Sequence, residues 1–308
     1  MRTFLPDETR VSRVHLRTAD LEQALGFYAG RLGLRVVERG ARQAAFGAAE
    51  CGSAIIVLTE TPGAKPRPER AIGLYHFAIR YPTRRDLAHA LARLVRQKHA
   101  IEGASDHQVS EAIYLSDPDG NGIELYADRP RSQWVWRGGE IVMSTEPLNL
   151  NNLLASTEGR PAPAHVPPQT DLGHIHLHVG DLGTAERFYH EFLGLAVTQR
   201  SYPGALFFST GGYHHHVAVN TWAGERPPPF DSIGLISYRL AVPEAEILYC
   251  LRHRAPLAGY KVAAGKPDDG AEVLQIGDPN GNWLEVEHIR SPHGSLTKPP
   301  RSQAAARN

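Results

Sequence analysis

Cysteine is scarce: Cys51 and Cys250 are the only two in 308 residues, too few for a disulfide framework. That scarcity makes a reducing cytoplasm the expected location. Net charge is missing as well, since 33 Lys and Arg stand against 33 Asp and Glu. Without a charge excess, neither nucleic acid nor an anionic membrane surface is an expected partner. No apolar run approaches the ~18 residues of a membrane span. The opening MRTFLPDETR has no hydrophobic stretch after its arginine and is not read as a secretory leader. Apolar residues at 42% and charged residues at 21% match globular chains, which excludes a disordered or fibrous protein. At roughly 150 residues per domain, the length predicts two domains. What the chain has in abundance is histidine, 16 residues, several of them clustered.

The chain repeats itself. Asp20–Val36 reads DLEQALGFYAGRLGLRV and Asp181–Val197 reads DLGTAERFYHEFLGLAV. Asp117–Glu124 reads DPDGNGIE and Asp278–Glu285 reads DPNGNWLE, at the same offset of 161 residues. A shared offset over so long a stretch marks a duplication. Each copy divides again. Val11–Arg17 alternates as a strand does, Asp20 stands where an N-cap belongs, and Leu21, Ala24, Leu25, Phe27, Tyr28 and Leu32 keep helical spacing up to Gly33. Short strands follow. The pattern predicts an α+β fold of four βαβββ modules, at about 11–60, 73–127, 172–222 and 232–288. Residues 128–171 read as a linker with one short helix near Leu148–Leu154, and 289–308 as a disordered tail.

The chemistry lies in what the strands carry. DPDGNG and DPNGN are turns in which Asp and Asn bond their own backbone and Gly supplies positive φ. Each launches a strand with one carboxylate, Glu124 or Glu285, among apolar neighbours, a costly burial without a partner. GHIHLHV puts His174, His176 and His178 on one strand face. GGYHHHVAVN, read as a strand, puts His214 and His216 on one face and His215 on the other, and YHFAIRY carries His76. Histidines at equivalent ends of repeated strands, beside such a glutamate, suit a site of two imidazoles and one carboxylate.

The DL…A…FY…LGL module with DPxGN…E resembles the vicinal oxygen chelate superfamily across nearly all of residues 11–288. That family includes glyoxalase I, bleomycin- and fosfomycin-resistance proteins and type I extradiol dioxygenases. The resemblance implies modules paired into two half-open, U-shaped sheet barrels around a metal. A narrower likeness, to bacterial four-module catechol-2,3-dioxygenases, rests on His107, QVSEA, Ile113-Tyr114, Asp117-Pro118, Gly120 and Glu124; Ser105 departs from the pattern. It implies Fe(II), with Mn(II) also suited, held by His76, Glu124 and His174. Tyr114 and His107 would touch the substrate, and an acid/base histidine would come from the His215-His216 pair, with His216 the candidate. His176 and His214 would orient the ligands, and His15, which aligns with His176 and not with His174, would likewise be an orienting or packing residue and not a ligand. The implied partners are a small aromatic diol and O2, and enzymes of this kind often form homo-oligomers. Trp222, Phe207 and Tyr213 could line the pocket.

Module pairing decides where the site is. The four inward positions are Arg13, Ile56, Ser237 and Glu285 in modules one and four, but His76, Glu124, His174 and His216 in modules two and three. Pairing two with three gives one complete site and one vestigial one. Pairing three with four gives the alternative set His174, His216 and Glu285. Two other functions stay open: a glyoxalase-like metal-dependent lyase or isomerase, and a metal-free ligand-binding protein of the drug-resistance kind.

Overall fold

Each quarter of the chain opens on a strand, passes through a helix and closes on three further strands. The structure, a computed structural model, describes residues 5–49, 52–265 and 272–289. The first module comprises β1 (Arg10–Thr18), α1 (Leu21–Leu25), β2 (Arg35–Arg39), β3 (Gln43–Gly47) and β4 (Ile56–Glu60). The second comprises β5 (Gly73–Arg80), α2 (Arg84–Arg96), β6 (Gly103–Asp106), β7 (Ser110–Ser116) and β8 (Gly122–Asp128). The connecting segment is not bare: it holds the hairpin β9 (Trp136–Arg137) and β10 (Glu140–Ile141), the edge strand β11 (Glu146–Pro147) and α3 (Leu150–Ala155). The third module comprises β12 (Asp171–His178), α4 (Leu182–Glu186), β13 (Ala196–Gln199), β14 (Ala205–Ser209) and β15 (Val217–Asn220). The fourth comprises β16 (Gly234–Val242), α5 (Ala245–Leu257), β17 (Val262–Ala264), β18 (Val273–Gly277) and β19 (Trp283–His288). Of the tail expected to be disordered, all but Ile289 lies outside the described residues.

Two curled sheets result, giving an α+β fold. Modules one and four share eight strands in the order β17-β18-β19-β16-β1-β4-β3-β2. Modules two and three share nine, β11-β6-β7-β8-β5-β12-β15-β14-β13. The joints are the antiparallel pairs β1–β16 and β5–β12. In every module the opening strand runs parallel to the last, which the intervening helix makes possible. One apolar cluster, with Leu16, Phe46, Phe77, Leu177, Tyr238 and Leu284 among its members, draws on all four modules.

The helices of modules one and three depart from the plain helix that the spacing predicts. Asp20 and Asp181 do cap them, each accepting from the backbone N–H three residues on. Both then widen into a π turn, at Gly26–Arg31 and Arg187–Phe192. Both turns bury an adjacent Phe-Tyr pair, Phe27-Tyr28 and Phe188-Tyr189. The phenols reach the turn motif: Tyr28 donates to Asp117 Oδ2 at 2.7 Å, and Tyr189 to Asp278 Oδ2 at 2.9 Å. Asp117 also accepts from the N–H groups of Asp119 and Asn121 and from the Asn121 side chain. The two halves of the repeat motif thus meet, tying module one to two and three to four across the sheets.

Candidate metal centre

Strand register sets a row of side chains across the larger sheet. Tyr114 on β7 stands opposite Glu124 on β8, Glu124 opposite Ala78 on β5, and Ala78 opposite His174 on β12. Residues two apart share a face, so His76 joins the row from the same strand as Ala78. Ala78 is the small member, and over it the longer side chains converge. Glu124 Oε2 lies 3.1 Å from His76 Nε2 and 3.2 Å from His174 Nε2. Donors about 2.0–2.2 Å from one ion and at right angles would lie roughly 3 Å apart. One ligand atom from each of the three residues falls within 4.8 Å of the others.

All three groups are buried, and His174 and Glu124 are held in the protonation states a metal needs. Burial pulls His174 down to about 4, so its imidazole is neutral at pH 7. Burial alone would raise the Glu124 carboxyl, but His174 and His76 hold it well below the usual carboxylate range. Two buried imidazole nitrogens, His76 Nε2 and His174 Nδ1, make no hydrogen bond. Of the two, His76 Nε2 faces the Glu124 carboxylate, and an orphaned nitrogen there fits a divalent cation held by these residues.

The cluster faces a cavity of about 410 Å³. His76, Glu124, His107, Tyr114, His176 and His215 line its polar side, and Tyr75, Tyr202, Phe207 and Trp222 its aromatic wall. His107 donates from Nδ1 to the Ser144 carbonyl at 2.7 Å, which leaves Nε2 to accept from the Tyr114 hydroxyl at 2.6 Å. His176 Nε2 accepts from Asn220 Nδ2 at 2.9 Å and bonds none of the three clustered residues. Tyr213 is not a lining residue; it packs with Val109, Trp134 and Ile141. His15 sits in the other sheet, bonded to Thr59.

The triple histidine requires a correction. Alternation predicts His216 beside His214 and directed inward, with His215 on the far face. β15 begins only at Val217, so residues 214–216 lie in a turn where period two does not apply. His215 is the one lining the cavity, its ring 4.1 Å from that of His174. His216 instead bonds Ser209 Oγ through Nδ1 at 2.9 Å and packs against Tyr213. His214 Nε2 lies 3.1 Å from Asp128 Oδ1, and its Nδ1 lies 2.8 Å from His215 Nδ1. Sequence reasoning passed over Asp128, although Glu124, Tyr126 and Asp128 alternate on one face of β8.

The sequence profile of the Glyoxalase/Bleomycin resistance protein/Dioxygenase superfamily matches residues 10–125 and again 171–286. The chain belongs to this superfamily. Among curated relatives, it is 44% identical over 266 residues to the catechol-2,3-dioxygenase of Bacillus subtilis (strain 168), covering 84% of this chain and 92% of that protein. Among solved structures, a candidate dioxygenase of Bacillus subtilis superposes with a TM-score of 0.68 at 12% identity, over 94% of this chain and 87% of that one. Glyoxalase I from Zea mays gives 0.56 at 15% identity, over 91% and 92%. Identities this low report the shared fold.

The second sheet of this superfamily member shows the same row with different contents. Gln275, Glu285, Arg239 and Arg13 stand where Tyr114, Glu124, Ala78 and His174 do. Arg239 fills the space that Ala78 leaves open and reaches Glu285 Oε2 at 2.7 Å. Ser237 and Gln275 complete the shell of Glu285 at 3.0 Å each. The alternative ligand set His174, His216 and Glu285 is therefore not assembled: β12 and β16 belong to different sheets. Among the described residues, no helix is long and apolar enough to cross a membrane.

Proposed function

We propose that this protein is a type I extradiol ring-cleaving dioxygenase of catechol-type diols, using O2 and one Fe(II) held by His76, Glu124 and His174. One observation carries the reading: a buried carboxylate with an imidazole nitrogen at 3.1 Å and another at 3.2 Å, open to an aromatic-walled cavity. The 44% identical catechol-2,3-dioxygenase supports the same chemistry. Two histidines and a carboxylate suit ferrous iron with open positions, and Mn(II) fits the same donors. Bound there, the ion supplies acidification of the diol and the redox chemistry with O2.

The rest is work for this chain's own groups. Tyr75, Tyr202, Phe207 and Trp222 offer ring faces that orient a flat aromatic substrate and keep water from it. His215, with its ring against His174, takes a proton from the diol and later returns it. Tyr114 and His107 present a coupled hydroxyl–imidazole pair at the cavity wall; with the Tyr114 proton given to His107, the Tyr114 oxygen is the atom able to accept from a substrate hydroxyl. A cytoplasmic setting suits both a ferrous site and the scarcity of cysteine. A metal-free binding pocket would gain nothing from burying Glu124, His76 and His174 together, and a glyoxalase-like reading leaves His215 without a role.

Anaerobic loading with Fe(II), followed by catechol and air, should give a yellow ring-fission product. His215→Phe should keep its iron and lose about 10²–10⁴-fold in turnover, while His216→Phe stays near wild type. No yellow product from iron-loaded protein, or the reverse ranking of the two variants, would contradict the assignment.

A further inference from the structure

We propose that Asp128 and His214 form a positioning relay that fixes which ring nitrogen of His215 carries the lone pair facing the cavity. The inference rests on the proposed role of His215 in ring cleavage. Asp128 lies at the end of β8, two positions beyond Tyr126, and its carboxylate gathers donors. His214 Nε2 approaches Oδ1 at 3.1 Å, the Tyr213 hydroxyl approaches both oxygens at 3.1 and 3.2 Å, and Arg80 Nη1 lies 3.4 Å from Oδ2. A carboxylate so surrounded accepts only, so the proton between it and His214 belongs to Nε2. The relay requires His214 to be neutral, and on that premise its lone pair lies on Nδ1.

That lone pair meets His215 Nδ1 at 2.8 Å, a separation that calls for one proton between the two nitrogens. His214 cannot supply it, so His215 does. His215 is thereby the Nδ1–H tautomer, and its Nε2 is the nitrogen left free to accept a proton. The logic is that of the Ser-His-Asp triad, where a carboxylate sets a tautomer it never itself protonates. Here a second imidazole extends the chain by one member.

The surroundings hold the relay still. His214 is 1% exposed and His215 8%. The Tyr213 hydroxyl that bonds Asp128 also bonds the Tyr126 hydroxyl at 2.6 Å. Tyr126 fills the place where a Cβ on residue 173 would sit, 1.5 Å from its oxygen, so only glycine fits immediately before His174. One packed unit thus sets His174 and the relay together.

Long-range ¹H–¹⁵N correlation on metal-free, ¹⁵N-histidine-labelled full-length protein reads each tautomer without any turnover. His214 should appear as Nε2–H and His215 as Nδ1–H. Asp128→Asn should switch or mix these tautomers, keep one iron per chain, and lower kcat about 10²–10⁴-fold with KM little changed. Asp128→Glu should recover much of both. Should Asp128→Asn not fold, His214→Phe replaces it, with loss of the single His215 tautomer as the expected result. A wild-type His215 found as Nε2–H overturns the proposal. So do an Asp128→Asn protein with unchanged tautomers and kcat, and a second metal equivalent bound through His174, His214 and His215. If wild type cleaves no ring, the dioxygenase reading fails instead, and the tautomers still report on the relay.

Discussion

Around one carboxylate the fold keeps a group of imidazoles neutral. Burial lowers His174 to about 4, His216 to about 3, and His176 and His215 well below their ordinary range. In the unfolded chain each would take its proton near pH 6.5. As pH falls from about 6.5 toward 4, the unfolded state therefore binds more protons than the native one, and stability drains away. It is fully present above that window. His174 alone contributes on the order of 3 kcal/mol across it. Metal-free protein should unfold at distinctly lower urea at pH 4.5 than at pH 7.5, and equal midpoints would contradict the buried neutral cluster. At this scale the sequence was readable where a strand carried the residue: alternation put His174 and His176 on one face, and both surround the cavity or its ligands. It misled at 214–216, because a turn orients side chains by local backbone geometry that no two-residue period encodes.

Elements were readable from punctuation more than from propensity. Asp20 and Asp181 as caps, and DPDGNG and DPNGN as turns, mark where helices and strands begin. The π turns at Gly26–Arg31 and Arg187–Phe192 were not readable, since their cause is tertiary: an adjacent Phe and Tyr must both enter the core, and the phenol must reach an aspartate in another module. That link predicts its own cost. Tyr28→Phe removes a buried hydrogen bond to Asp117 and should destabilise by about 1–3 kcal/mol, with Tyr189→Phe similar through Asp278. Unchanged urea midpoints in both variants would show that the turns, and not the tyrosines, hold the modules together.

For the molecule as a whole, duplication supplied two equivalent rows and divergence gave them different contents. Comparing inward positions module by module separates His76, Glu124 and His174 from Ser237, Glu285 and Arg13. The deciding detail lay one strand position further, where Ala78 in one row is Arg239 in the other. An alanine leaves room for an ion between carboxylate and imidazole, while an arginine supplies the positive charge itself and closes the gap. The Arg239–Glu285 pair is buried, so the arginine satisfies a carboxylate whose counterpart in the sister row the proposed metal would satisfy. Glu285 stands out in the sequence as the counterpart of Glu124, but its partner Arg239 does not, since the position opposite it attracts attention only once the register is known.

The central claim is that one ion is held between modules two and three and none between one and four. Metal analysis after anaerobic Fe(II) loading and desalting tests it most directly, on wild type, Glu124→Ala and Glu285→Ala. The account predicts one iron per chain in wild type and in Glu285→Ala, and essentially none in Glu124→Ala. Iron retained by Glu124→Ala, or lost from Glu285→Ala while that variant stays folded, would contradict it.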